Sequence, residues 1–261
     1  MYVMLKSSRS QLIVFFLLSF VIAWGTWIPS FLLPSFPKSI SVIGLFAPAI
    51  SALITAMLSS GKKGMSEILT RYFIFRFKPQ WYILAIFLMP VIYLLAVMIN
   101  VSFFHYTSPI WTNLPAYFIV ASFIWLMFIN SGEEIGWRGF ALPVLLQNCK
   151  NPIKASLLLG TVWGLWHLPL YLLPGQSSFP YILFLLLTIG LSFIYTFLFL
   201  ATKGSLLSVI MLHAGTDVGA RIFQLAHFTP TMYGTIDVLV YIVAGILIYF
   251  FKKSKASNLP N

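Results

Sequence analysis

Apolar residues fall into eight long blocks along this chain, with prolines, glycines and lysines between them. The blocks run from about Gln11 to Leu33, Ile40 to Ser59, Gln80 to Val101, Pro115 to Gln147, Ile153 to Leu173, Phe179 to Ala201, Ser205 to Phe223 and Tyr233 to Phe251. Apolar runs of about eighteen residues or more mark helices that cross a bilayer. The short alternating segments of a membrane β-barrel are not seen. The predicted fold is all-α: a polytopic membrane helical bundle of about eight transmembrane helices, one integral-membrane domain over 1–261. One stretch breaks the pattern. From Met65 to Lys78, the charges Glu67, Arg71, Arg76 and Lys78 are interleaved with Ile68, Leu69, Tyr72, Phe73 and Phe77. That segment is too short and too charged to cross, and predicts an amphipathic helix lying in the interface. The first block is about twice a signal-peptide core and lacks a convincing cleavage site, so it is read as a retained span. Pro90 is expected to kink the third span and Pro169 to bend the fifth.

Composition sharpens this. Hydrophobic residues make up 60% of the chain and charged ones 8%, which excludes a soluble domain of ordinary kind. Aromatics, at 17%, fit interfacial belts, and the net charge of +11 carries no nucleic-acid pattern. Instead the basic residues sort by side. With the N-terminus inside, Lys6, Arg9, Lys62, Lys63, Arg71, Arg76, Lys78, Lys150, Lys154, Lys203, Lys252, Lys253 and Lys255 face the cytoplasm, leaving only Lys38 and Arg221 opposite. Both termini are therefore expected to be cytoplasmic. The single Cys149 excludes an intrachain disulfide and is read as structural. His105 and His227 fall in outer loops as solvated residues, and Arg221 is placed to pair with Asp237.

The chemistry gathers where an apolar chain should avoid it. Of five acidic residues, Glu133 and Glu134 sit side by side in the fourth block, within Asn130-Ser131-Gly132-Glu133-Glu134-Ile135-Gly136-Trp137-Arg138-Gly139. An ionisable group at bilayer depth costs about 2.5–3.5 kcal/mol on insertion scales. Arg138 follows Glu134 by one helical turn and can pair with it, leaving Glu133, about 100° round the helix, to point elsewhere. Gly132, Gly136 and Gly139 allow close helix packing or a break. His167 lies in the fifth block, and His213 and Asp217 share one face of the seventh. A lone histidine on an apolar helix is ordinarily a packing residue. Three spans each contributing such groups describe a polar chamber that suits carboxylate-activated water, a metal held by Glu and His, or a proton path.

Glu133-Glu134-x-x-x-Arg138, Trp163-x-x-x-His167 and His213-x-x-x-Asp217, in that order, resemble the three motifs of the CAAX-protease and bacteriocin-processing (Abi) family of intramembrane endopeptidases. The resemblance covers a catalytic core of about 115–220. It implies that Glu133 and His167 activate water, that Glu134 and Arg138 support the helix and its charge balance, and that His213 and position 217 face the oxyanion. Trp163 stands where Phe is commoner, and Asp217 where the prenyl proteases carry Asn. An oxyanion needs a donor, which Asp217 is only when protonated. No HExxH is present; Glu133, His167 and His213 could hold zinc, but a metal-free mechanism is favoured and the cofactor stays open. The expected function is hydrolysis of a peptide or membrane-protein substrate near the cytoplasmic side of a bacterial plasma membrane, serving bacteriocin, pheromone or membrane-peptide processing or self-immunity. The rival readings are a non-catalytic immunity or scaffolding protein and a proton-coupled transporter.

Overall fold

The computed structural model describes Leu5 and residues 7–106, 112–173 and 180–256, the last seven by backbone alone. Lys6, the stretch 107–111 of the expected outer loop and Phe179, which opens the sixth block, lie outside the described residues, as do the side chains of Lys252, Lys253 and Lys255. Helices make up the fold: α1 Ser8–Leu32, α2 Ser41–Leu45, α3 Ala47–Thr70, α4 Pro79–Phe104, α5 Ala116–Gly136, α6 Leu142–Cys149, α7 Pro152–Trp166, α8 Pro169–Leu172, α9 Tyr181–Ala201, α10 Leu206–Ile222 and α11 Pro230–Ala256. No strand occurs among the described residues. Five helices are long and apolar enough to cross a membrane, counting Ala116–Cys149 as one, and six if the bent pair Lys38–Leu45 and Ala47–Phe73 is a single span. Helices α7 and α10, expected as crossing spans, have 15 and 17 residues. At 1.5 Å per residue they fall short of an apolar core of about 30 Å.

The amphipathic stretch takes a different form from the separate helix expected over 65–78. Helix α3 leaves helical geometry at Gly61 (φ 62°, ψ −152°), resumes, and ends at Thr70 before a 3-10 turn, Arg71–Phe73. Its second part is nonetheless amphipathic, with Ile68 buried and Lys63, Ser66, Glu67 and Leu69 exposed. Pro90 lies within an unbroken α4. Pro169 does more than bend the fifth block. It has no N–H for the Leu165 carbonyl, so α7 stops at Trp166, His167 caps it, and α8 starts anew.

Hydrogen bonds gather the helix ends into two faces. The Leu5 N–H donates to the Leu58 carbonyl (3.3 Å), Ser8 Oγ to Asn148 Oδ1 (2.5 Å) and Ser205 Oγ to the Ile74 carbonyl (2.5 Å). This face carries Arg9, Lys62, Lys63, Arg71, Arg76, Lys78, Lys150, Lys154 and Lys203. At the other face, Tyr106 Oη donates to the His227 carbonyl (3.2 Å) and the Thr112 N–H to that of Ile222 (2.9 Å). His105 and His227 are exposed there, as expected.

Between the faces α10 packs on α4 and α5, α3 on α5 and α1, and α7 on α9. In lipid such contacts depend on close backbone approach. A Cβ at Gly136 would lie 2.4–2.5 Å from Pro48, and one at Gly215 2.7 Å from the Ile86 carbonyl, so α3 and α4 sit directly against the helices that carry the polar groups. The glycines of the fourth block serve both expected ends. Gly132 and Gly136 meet the chain around Leu45–Pro48, while Gly139 lies in a π-helical turn, Trp137–Ala141, that interrupts the helix between α5 and α6.

Candidate active site

Each helix bearing a candidate residue is fixed locally. Asn151 caps α7, its side-chain oxygen accepting from the Ile153 and Lys154 N–H groups, with Pro152 in the first turn. Ser205 caps α10, accepting from the Ser208 N–H (3.2 Å). The π turn after Gly136 adds a residue to one helical turn, a feature frequent at functional sites. Here it follows directly on Glu133 and Glu134 and includes Arg138.

These elements bring all six expected residues together. Arg138 Nη1 donates to Glu134 Oε1 (2.9 Å) and Oε2 (3.2 Å), both residues wholly buried. His213 Nδ1 lies 2.9 Å from the same Oε1. A carboxylate accepts, so His213 carries its proton on Nδ1 and turns Nε2 away from Glu134. The guanidinium carbon stands 4.5 Å over the ring of Trp163 and 4.4 Å over that of Tyr195, so this cation is clasped between two aromatic faces. Its Nε and Nη2 have no hydrogen-bond partner among the described residues.

Glu133 faces the other way. Trp163 Nε1 donates to Glu133 Oε2 (2.7 Å), and His167 Nδ1 lies 2.8 Å from the Trp163 carbonyl. That carbonyl can only accept, so the proton on His167 Nδ1 is fixed as well. Trp163 thus holds both groups, and leaves Glu133 Oε1 and His167 Nε2 4.0 Å apart. Both line a cavity of about 500 Å³ with His213, Asp217, Asn130 and Thr216. Asp217 accepts a hydrogen bond from Asn130 Nδ2 (2.8 Å).

Sequence reasoning had Trp163 only as an aromatic, and gave Asn130 and Tyr195 no role. The indole was legible as a donor, since Trp differs from Phe by an N–H. Asn130 sits one turn before Glu133 and Glu134 and so on their side of the helix. Tyr195, inside an apolar block, carried no signal beyond its hydroxyl. Arg221 and Asp237 do not pair: Arg221 is exposed, and both Asp237 oxygens are buried with no partner among the described residues. Cys149 is a free, half-buried thiol remote from the cavity.

Among the described residues no three His, Cys, Asp or Glu side chains converge as a ligand set.

Residues 113–219 match a sequence-family model described as type II CAAX prenyl endopeptidase Rce1-like. The chain is also similar to CAAX prenyl protease 2 of Methanococcus maripaludis, 26% identical over 276 residues that cover 96% of this chain and 99% of the relative.

Proposed function

We propose that this chain is a member of the CAAX-protease family, whose model and relative it resembles, and that it is an intramembrane endopeptidase in which Glu133 and His167 activate a water for attack on a peptide carbonyl. The observation that carries the reading is the pair of free acceptors, Glu133 Oε1 and His167 Nε2, 4.0 Å apart on the cavity wall. A water between them donates one proton to each and presents its lone pair to the chamber. Glu133 takes the proton as attack proceeds, and His167 or Glu133 returns it to the leaving amine. Because Trp163 has already fixed both groups, little reorganisation accompanies the reaction.

The oxyanion falls to His213. With Nδ1–H held by Glu134, a proton on Nε2 makes it an imidazolium that donates into the chamber, and Glu134, itself paired with Arg138, supports that charge. An ionised Asp217 is no donor. The amide absent at that position is supplied from the neighbouring helix by Asn130, which binds Asp217 and lines the same cavity. Peptides such as bacteriocin precursors, pheromones or membrane-protein tails, acted on in a bacterial plasma membrane, are the substrates this reading favours.

The test compares wild type with Glu133→Gln in detergent on a membrane-peptide library, with new termini read by mass spectrometry, with and without chelator. Wild type should generate new termini in both conditions, and Glu133→Gln should lose about 10²–10⁴-fold in rate, the usual contribution of a general base. Full cellular function retained by Glu133→Gln would replace the enzyme with a binding or immunity protein.

A further inference from the structure

The chamber has a direction. Its walls extend from the level of Glu133, Tyr195 and His213 toward one face of the bundle only. On α5 the lining residues are Glu133 and residues before it, such as Leu126, toward the end near Ala116. On α10 they begin at His213 and continue to Ala220. Tyr171 and Phe184 carry the wall past His167, and exposed Ala226, with Tyr233, forms its far rim. Toward the opposite face, α10 reaches about two turns, or 10 Å, below His213 and is packed solid. There Leu206, Val209, Ile210 and Leu212 are wholly buried, as is Leu142 just past the π turn.

The face to which the chamber opens is the one holding Lys38 and Arg221. Among the described side chains, the closed face holds Arg9, Lys62, Lys63, Arg71, Arg76, Lys78, Lys150, Lys154 and Lys203. Basic residues flanking spans stay on the cytoplasmic side. We infer that this site takes its peptide from the extracytoplasmic side: its substrate is an exported peptide or the outer end of a membrane segment, not a cytoplasmic tail. This rests on the peptidase reading for the chemistry and on chain orientation for the side, and replaces the cytoplasmic approach suggested by the sequence. The walls suit an apolar segment, being chiefly leucine and aromatic, with the polar groups Glu133, His167, His213 and Asp217 gathered at the inner end.

The experiment labels single cysteines in intact cells with a membrane-impermeant maleimide. In a Cys149→Ser background, exposed Gln147→Cys reports the basic face, exposed Ser39→Cys the other face, and Ala226→Cys the rim of the chamber. Ser39→Cys and Ala226→Cys should label in intact cells, and Gln147→Cys only after lysis. Labelling of Gln147→Cys from outside, alone or together with Ser39→Cys, overturns the inference, as does an Ala226→Cys that resists the reagent even after lysis. These outcomes do not depend on catalysis, so they stand whether or not any peptide is cut. Where the library yields a cleaved peptide, a bulky impermeant maleimide on Ala226→Cys should lower its cleavage at least tenfold. Unchanged cleavage would place entry elsewhere.

Discussion

At the scale of single residues, Trp163 binds Glu133 through its indole N–H and His167 through its backbone carbonyl. Trp163→Phe keeps the ring over Arg138 but removes the donor. Hydrogen bonds to charged groups contribute about 1.5–3 kcal/mol, so kcat should fall about ten- to a hundredfold, with KM little changed. Steady-state kinetics on a cleaved peptide checks this, and the backbone bond to His167 survives the change. Glu134 is the complementary case. It compensates Arg138 and His213 at once, and Glu134→Ala strands a guanidinium with no route to water. Breaking a buried pair typically costs about 3–5 kcal/mol, so this variant should lose its folded state in detergent, seen as a collapse of the melting transition. Asp237 reverses the sign. Its buried carboxylate has no partner among the described residues, so Asp237→Asn should raise the melting temperature.

Elements show how much of this was legible. The carboxylates, the arginine and both histidines stand out because an apolar chain has few reasons to carry them, and helical spacing alone pairs Glu134 with Arg138. Spacing says nothing about rotation between helices, and so could not tell that His213 reaches Glu134 or that Asn130 reaches Asp217. The π turn at Trp137–Ala141 was equally hidden, because hydrophobic periodicity blurs where every side of a helix is apolar. Packing by glycine was partly visible: three glycines in the fourth block announced close contact but not with what. Gly136→Ala, whose Cβ would meet Pro48 at 2.4–2.5 Å, should push α3 off α5 and lower stability by about 1–3 kcal/mol, the usual cost of overpacking. Gly25→Ala, with nothing within 4 Å, should leave the melting temperature unchanged or slightly raised. Equal effects of the two would show that the α3–α5 contact does not hold the site.

For the molecule as a whole, hydropathy gave the membrane and charge gave two faces, while the depth and direction of the chamber came only from three dimensions. The matched segment 113–219 contains every catalytic candidate, yet it does not hold them in place by itself. Trp166, beside His167, donates its indole N–H to the Ser19 carbonyl (3.1 Å) and accepts at its own carbonyl from Trp24 (2.9 Å), both on α1. Such a core could not be inherited or transplanted as a module: a gene cut down to it would encode the chemistry without the scaffold that positions it. Splitting the gene between α4 and α5 should be gentler, because helices inserted separately can still associate in the bilayer. Residues 1–110 and 111–261 expressed as two polypeptides should then restore cleavage that 111–261 alone lacks.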